Sequence, residues 1–273
     1  MRTRVAMSIL CLTCLLAAVP AHAQYAAQGA SNLATGENYR VEIGGYLWFP
    51  TPDISIASES LPGIIGDRID FVDDLGIDRD TFKQLKVVLR MAKKHKLRFE
   101  YTPVNYLEAE GVLRRNIIFN GIIYTAALPI STELDWNAYR FTYEYDIIYR
   151  DRGFFGILLE AKYTDVRAEL LNFFNNEFVH ARAPIPAIGA IGRVYVAPNI
   201  SITGEFSGFK LPDRIDEDYS GNFYDLDLYG TVNFNDHIGA QAGYRSFSVF
   251  YRVDQDEGHL KLRGLYLGAA VRF

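Results

Sequence analysis

The chain has 273 residues, 49% of them hydrophobic and 22% charged, with Tyr 18 and Phe 18 against Trp 2. Such richness in aromatics excludes a disordered chain, and one apolar run at the extreme N-terminus excludes a bundle of membrane-spanning helices. An excess of Asp and Glu (33) over Lys and Arg (28) argues against nucleic acid as a partner.

Arg2 and Arg4 precede an apolar stretch from Val5 to Val19, and Ala21-His22-Ala23 places small residues at the −3 and −1 positions. This pattern predicts a secretory signal peptide over 1–23, cut before Gln24. Cys11 and Cys14 both fall inside it and lack the small-residue context of a lipid-anchored cleavage site, so the mature chain carries no cysteine. Loss of Arg2 and Arg4 leaves 26 basic residues against 33 acidic ones, a net charge of −7. Residues 24–38 are expected to form a periplasmic N-terminal segment, with the folded body over 39–273.

From there the chain alternates with period two over segments of about ten residues, the signature of strands with two unlike faces. In chain order the apolar faces run Val41 to Phe49, Leu85 to Met91, Leu97 to Tyr101, Tyr139 to Tyr149, Phe155 to Tyr163, Ile188 to Val196, Ile200 to Phe206, Tyr224 to Phe234, Ile238 to Tyr244 and Leu265 to Phe273. The connections alternate in length. Short ones fall at 93–96, 151–153, 198–199 and 235–237; long ones at 50–80, 111–130, 170–186, 211–221 and 254–258. The stretch 165–183 has partly helical spacing (Leu170, Leu171, Phe173, Phe174, Phe178) and reads as a short helix or a hairpin extension. The stretch 116–124 reads as a β-extension or an added hairpin.

Charge avoids one face of every segment. The opposite faces hold Glu42, Glu100, Glu144, Asp146, Glu160, Glu205, Asp225 and Asp227 together with Arg40, Lys86, Arg90, Arg98, Arg140, Lys162, Arg193, Arg245 and Arg272. Alternation alone does not say which face meets water. The signal peptide, the aromatics at strand ends, the short-turn and long-loop asymmetry and the lack of an apolar plug helix all favour lipid on the uncharged face. The expected fold is all-β: a closed antiparallel transmembrane β-barrel of ten strands (eight or twelve being the alternatives), with short periplasmic turns and long outer loops.

The last ten residues, Gly264-Leu-Tyr-Leu-Gly-Ala-Ala-Val-Arg-Phe273, resemble the closing strand of bacterial outer-membrane β-barrel proteins. Gly44-Gly-Tyr-Leu-Trp-Phe-Pro50 and Asp74-Leu-Gly-Ile-Asp78 are similar to first strands and first loops of small uncharacterised barrels of this type. The resemblance implies outer-membrane residence in a Gram-negative bacterium, contact with lipid and lipopolysaccharide, and Phe273 as a signal read by the barrel-insertion machinery. It implies no catalytic residues.

Ten strands enclose a narrow lumen. Eight acids and nine bases inside it predict a plug of salt bridges with no standing pore, since each unpaired buried charge costs several kcal/mol. The competing reading is a narrow channel for small or hydrophobic solutes, past Gly44, Gly156, Gly243 and Gly268. A third is a rim hydrolase resembling the omptin proteases, for which Asp73-Asp74, His180 and Asp216/Asp218 are the nearest raw material. No G-x-S-x-G motif occurs. Asp213, Asp216 and Asp218 before Ser220-Gly221 lack the spaced ligands of a calcium loop. No catalytic residue, metal site or cofactor is assigned.

Overall fold

The computed structural model describes residues 34–273, apart from 58, 62, 63, 66, 113, 120, 121, 127, 128, 172–175, 212–218, 254 and 255. The expected signal peptide and residues 24–33 lie outside the described residues. Ten long strands form one closed sheet: β1 (Val41–Ala57), β2 (Phe82–Ala92), β3 (His95–Val112), β4 (Pro129–Arg150), β5 (Gly153–Leu171), β6 (Asn176–Ala197), β7 (Ile200–Lys210), β8 (Tyr219–Asn233), β9 (Ile238–Val253) and β10 (Asp256–Arg272). Each pairs antiparallel with its neighbour, and β10 closes on β1 in unbroken register from Glu42↔Arg272 to Ala57↔Glu257. Closure leaves no edge strand to aggregate. Among the described residues there is no helix.

The strand count of ten stands. The 116–124 stretch is a separate small hairpin, Ile117–Phe119 against Ile122–Tyr124, and does not join the barrel. The helical reading of 165–183 is overturned where the stretch is described: residues 165–171 and 176–183 continue β5 and β6, paired in register out to Leu171↔Asn176, and 172–175 lie outside the described residues. The connection expected over 254–258 shrinks to two residues, because Val253 pairs with Asp256.

The sheet alternates as its sequence does. On β1, Glu42, Tyr46 and Trp48 point inward and are buried, while Ile43, Leu47 and Phe49 point outward and are about 40% exposed. β4 slips phase against β5. Gly156 pairs with Asp146 but Phe155 pairs with Ile148, so Ile147 is an extra residue, a β-bulge. Ile148, expected inside, therefore faces out, and Tyr149, expected outside, packs against the buried Phe154, Leu158 and Ile191.

The interior changes character along the barrel axis. Towards the short turns it is charged. Towards the long loops it is apolar and aromatic, built from Trp48, Ile54, Tyr106, Trp136, Phe223, Phe247 and Leu262. The first long connection completes this upper core. Ile69–Asp70 pairs with Ser55 and Ile56. The Asp70 carboxylate accepts the Val72 and Asp73 amides at 2.8 Å, an Asx-type turn. Gly76 sits at φ +81°, and the reversed chain lets the Ile77 amide reach the Phe71 carbonyl at 2.9 Å. Ile69, Phe71, Leu75 and Ile77 are thereby carried into the mouth and buried, with Ile117 of the small hairpin beside them.

Candidate functional site

The lumen has three layers. At the short-turn mouth, residues 34–38 cross the opening. The Ala34 amide donates to the Asp151 carbonyl, Thr35 to Pro198, and Gly36 to Asp236 Oδ1 at 2.8 Å, so the segment ties three turns together. Gly36 has φ +84°, and a Cβ there would stand 2.8 Å from Arg272 Nη1 and from Asn233. Glu37 then points inward. Its carboxylate accepts from Arg193 at 2.8 Å, Tyr195 at 2.9 Å and Arg90 at 2.9 Å. Burial pushes this carboxyl up, but Arg193, Arg90 and Lys96 outweigh it and hold it at about 2.

The middle layer is a web of ion pairs reaching across the barrel. Glu205 of β7 meets Lys86 at 3.4 Å, Arg98 and Arg140, and accepts the Tyr229 hydroxyl at 3.0 Å. Arg140 of β4 also binds Glu160, with Glu100 at 3.3 Å and Asp225 at 3.6 Å. Asp225 takes Arg245 at 2.7 Å and Lys162 at 3.1 Å. Towards the turns, Lys96 pairs with Glu144 at 2.5 Å and Asp146 at 3.0 Å, and Arg98 with Glu144 at 3.0 Å. Near the seam, Arg272 Nε donates to Glu42 at 2.5 Å. Among the described residues Asp227 meets a hydroxyl and has no ion pair: Tyr266 donates to it at 2.9 Å.

Of the charged residues expected inside, Arg40 alone is exposed. It lies just before the start of β1, at the rim, where its amide bonds the Phe273 carbonyl at 2.7 Å. Two residues were missed. Lys96 falls within the turn expected over 93–96, but β3 begins at His95. Glu37 lies before the strands and carried no periodic signal. With these changes nine acids (Glu37, Glu42, Glu100, Glu144, Asp146, Glu160, Glu205, Asp225, Asp227) face nine bases (Lys86, Arg90, Lys96, Arg98, Arg140, Lys162, Arg193, Arg245, Arg272). The mouth and middle layers together are balanced in formal charge, as a low-dielectric interior requires.

The third layer is the aromatic core. Trp136 and Phe247 lie 4.7 Å apart between centroids, and Phe82 meets Tyr106 edge-on at 5.0 Å. The layers meet through cations over rings: Lys162 stands 3.6 Å from the Phe223 centroid and Arg245 5.8 Å from Trp48. At this junction Arg140, Lys162, Arg245, Trp136 and Phe247 help to line a cavity of about 20 Å³, room for one water.

Side chains occupy the space beside the glycines of the narrow path. A Cβ on Gly44 or Gly268 would strike the Tyr46 ring, one on Gly243 would meet Tyr229 and Tyr266, and one on Gly156 would meet Asp146. These glycines make room for the side chains that fill the bore.

Of the rim residues weighed for hydrolysis, Asp73 and Asp74 are described in full and His180 by its backbone. Asp74 is held by Arg115 through two bonds of 2.8 and 2.7 Å. Burial raises its carboxyl, but Arg115 and the Asp70 amide outweigh this and keep it below the usual carboxylate range. Asp216, Asp218 and the side chain of His180 lie outside the described residues. His259 Nδ1 stands 3.7 Å from Asp53 Oδ1 on the outer surface. Phe273 points outward, 68% exposed, with its backbone bonded to Val41.

A closed antiparallel barrel of ten strands, with charge inside and an apolar belt outside, has the fold of the outer-membrane β-barrel proteins. No family model and no curated protein matches the chain. Among solved structures it is similar to the outer membrane protease OmpT from Escherichia coli, at 9% identity and TM-score 0.60, over 88% of this chain and 99% of that one. It is also similar, at TM-score 0.35, to Ail, the attachment invasion locus protein of Yersinia pestis (11% identity, 85% of this chain and 98% of that one). A third is the P. putida toluene transporter TodX, at TM-score 0.36 (8% identity, 90% and 94%). At these identities the likeness is one of fold.

Proposed function

We propose that the protein is an exported, integral outer-membrane barrel whose lumen is filled and does not conduct, and whose long-loop end is a contact surface outside the cell. The single observation that carries this reading is the ion web across the middle of the bore, with Arg140 reaching carboxylates of β3, β5, β7 and β8. The strap at 34–38 and the apolar core under the first loop support it from the two ends. Export rests on a signal peptide cleaved before Gln24, and insertion on the terminal Phe273.

Planar-bilayer recording of the purified full chain tests the reading. The expected result is a quiet membrane. Long-lived, uniform conductance steps would overturn it in favour of a channel. Amino-terminal sequencing of the membrane-extracted protein should begin at Gln24.

A further inference from the structure

Beyond the apolar belt, the outward face of β9–β10–β1 carries two bases of a different kind from those inside. Arg263 and Lys261 are successive outward positions on β10, flanking the buried Leu262. Arg263 stands opposite Ser246 of β9 and Thr51 of β1; Lys261 stands opposite Ser248 and Asp53. Among the described residues neither base has an ion-pair or hydrogen-bond partner, while every base in the lumen has one.

Immediately towards the turns, the same surface becomes apolar. Leu265 is 67% exposed and stands opposite Phe49 and Tyr244, which are also exposed. An occupant of this patch therefore carries negative charge beside a long apolar body. A guanidinium matches phosphate oxygens in a planar fork, an ammonium adds a point charge, and three hydroxyls on the flanking strands add donors.

We propose that Arg263, Lys261, Ser246, Ser248 and Thr51 form a binding site for the phosphate of a phosphorylated outer-leaflet lipid whose acyl chains lie along the belt. The site rests on the membrane reading above. Asp53 tempers it: the carboxylate faces Lys261 across the strand pair yet lies 3.7 Å from His259.

The test uses the full chain in detergent micelles, titrated with bisphosphorylated lipid A, with the dephosphorylated lipid, and with inorganic phosphate. Saturable binding of the phosphorylated lipid is expected, weakened at least ~10-fold in the K261Q/R263Q double variant and tightened about twofold in D53N. The dephosphorylated lipid should bind no better than the double variant binds lipid A. Equal affinity for both lipids would overturn the proposal. So would full displacement by millimolar inorganic phosphate, which would make this a site for a free anion. Retention of the heat-sensitive compact band on gels by the double variant shows that its barrel is intact. A protein freely soluble without detergent would instead overturn the membrane reading itself.

Discussion

The half of the barrel nearer the turns and the half nearer the loops are made from the same ten strands, yet their faces are reversed. On β10, the turn half shows Leu265, Leu267, Ala269 and Val271 to the outside and keeps Arg272 within. Two residues beyond Leu265, the outside is Arg263 and Lys261, and the inside is Leu262. β9 does the same, passing from outward Ala242 and Tyr244 with Arg245 within to outward Ser246 and Ser248 with Phe247 within. The switch is marked by outward aromatics, with Tyr101 and Tyr139 stacked at 4.8 Å and Tyr163 6.3 Å from Tyr139. Such rings suit a boundary between an apolar and a wet phase. A closed sheet has no fixed inside chemistry. Each level of it is apolar towards whichever side lacks water.

The largest effect is expected where one residue serves most partners. Arg140→Ala leaves Glu160 with Lys162 alone and weakens the hold on Glu100, Glu205 and Asp225. It should cost about 3–5 kcal/mol, read as urea unfolding of the lipid-reconstituted barrel. Arg140→Lys should restore part of the loss. A cost below ~1 kcal/mol would mean that water, not protein, solvates these carboxylates, and the bore would be wet.

Next comes the outer belt. Leu267→Arg puts a charge on the outward face of the turn half and should cost about 2–4 kcal/mol. The reverse exchange in the loop half, Arg263→Leu, should lie within about 0.5 kcal/mol of neutral. Equal costs at the two positions would erase the distinction between the halves.

In the loop half, Leu75→Ala empties a fully buried position of the first connection. It should cost about 2–3 kcal/mol, the low end for a buried leucine, because a loop can collapse into the space. The loss should appear as faster proteolysis within 67–82, with the barrel strands unaffected.

The smallest effect concerns the strap. The Glu37 carboxyl titrates at about 2 when docked, below its ordinary value of 4.5. Its contribution is therefore complete above about pH 4.5 and is lost as pH falls towards 2. Glu37→Gln should remove that dependence. It should also raise proteolysis of the N-terminal segment at neutral pH, while the barrel keeps its heat-sensitive compact band.

Most of the turn half was legible in the sequence, because a face in contact with apolar surroundings tolerates no charge and ten segments obey that rule at once. The loop half was not, for a physical reason visible in particular residues. Reading β1 as ending at Phe49 misses Ile54, and reading β10 as beginning at Gly264 misses Leu262, because the alternation changes phase where the medium changes. That phase flip, Leu260 and Leu262 followed by Leu265 and Leu267, is itself a signal for a strand that leaves an apolar layer. The bulge at Ile147 and the inward turn of Glu37 left no periodic trace. The first is a local slip of register, and the second lies in irregular backbone, where side-chain direction is set by bonds to distant turns.

The central claim is that the outer belt of the turn half meets hydrocarbon and that the boundary falls between Leu265 and Arg263. Cys11 and Cys14 are the two native cysteines; with both replaced by serine, single cysteines at Ala269, Leu267, Leu265, Arg263 and Lys261 can each carry a nitroxide in the bilayer-reconstituted protein. Collision with oxygen should dominate at Ala269 and Leu267, and collision with a water-soluble nickel complex should take over at Arg263 and Lys261. Nickel collision as strong at Leu267 as at Lys261 would contradict the account.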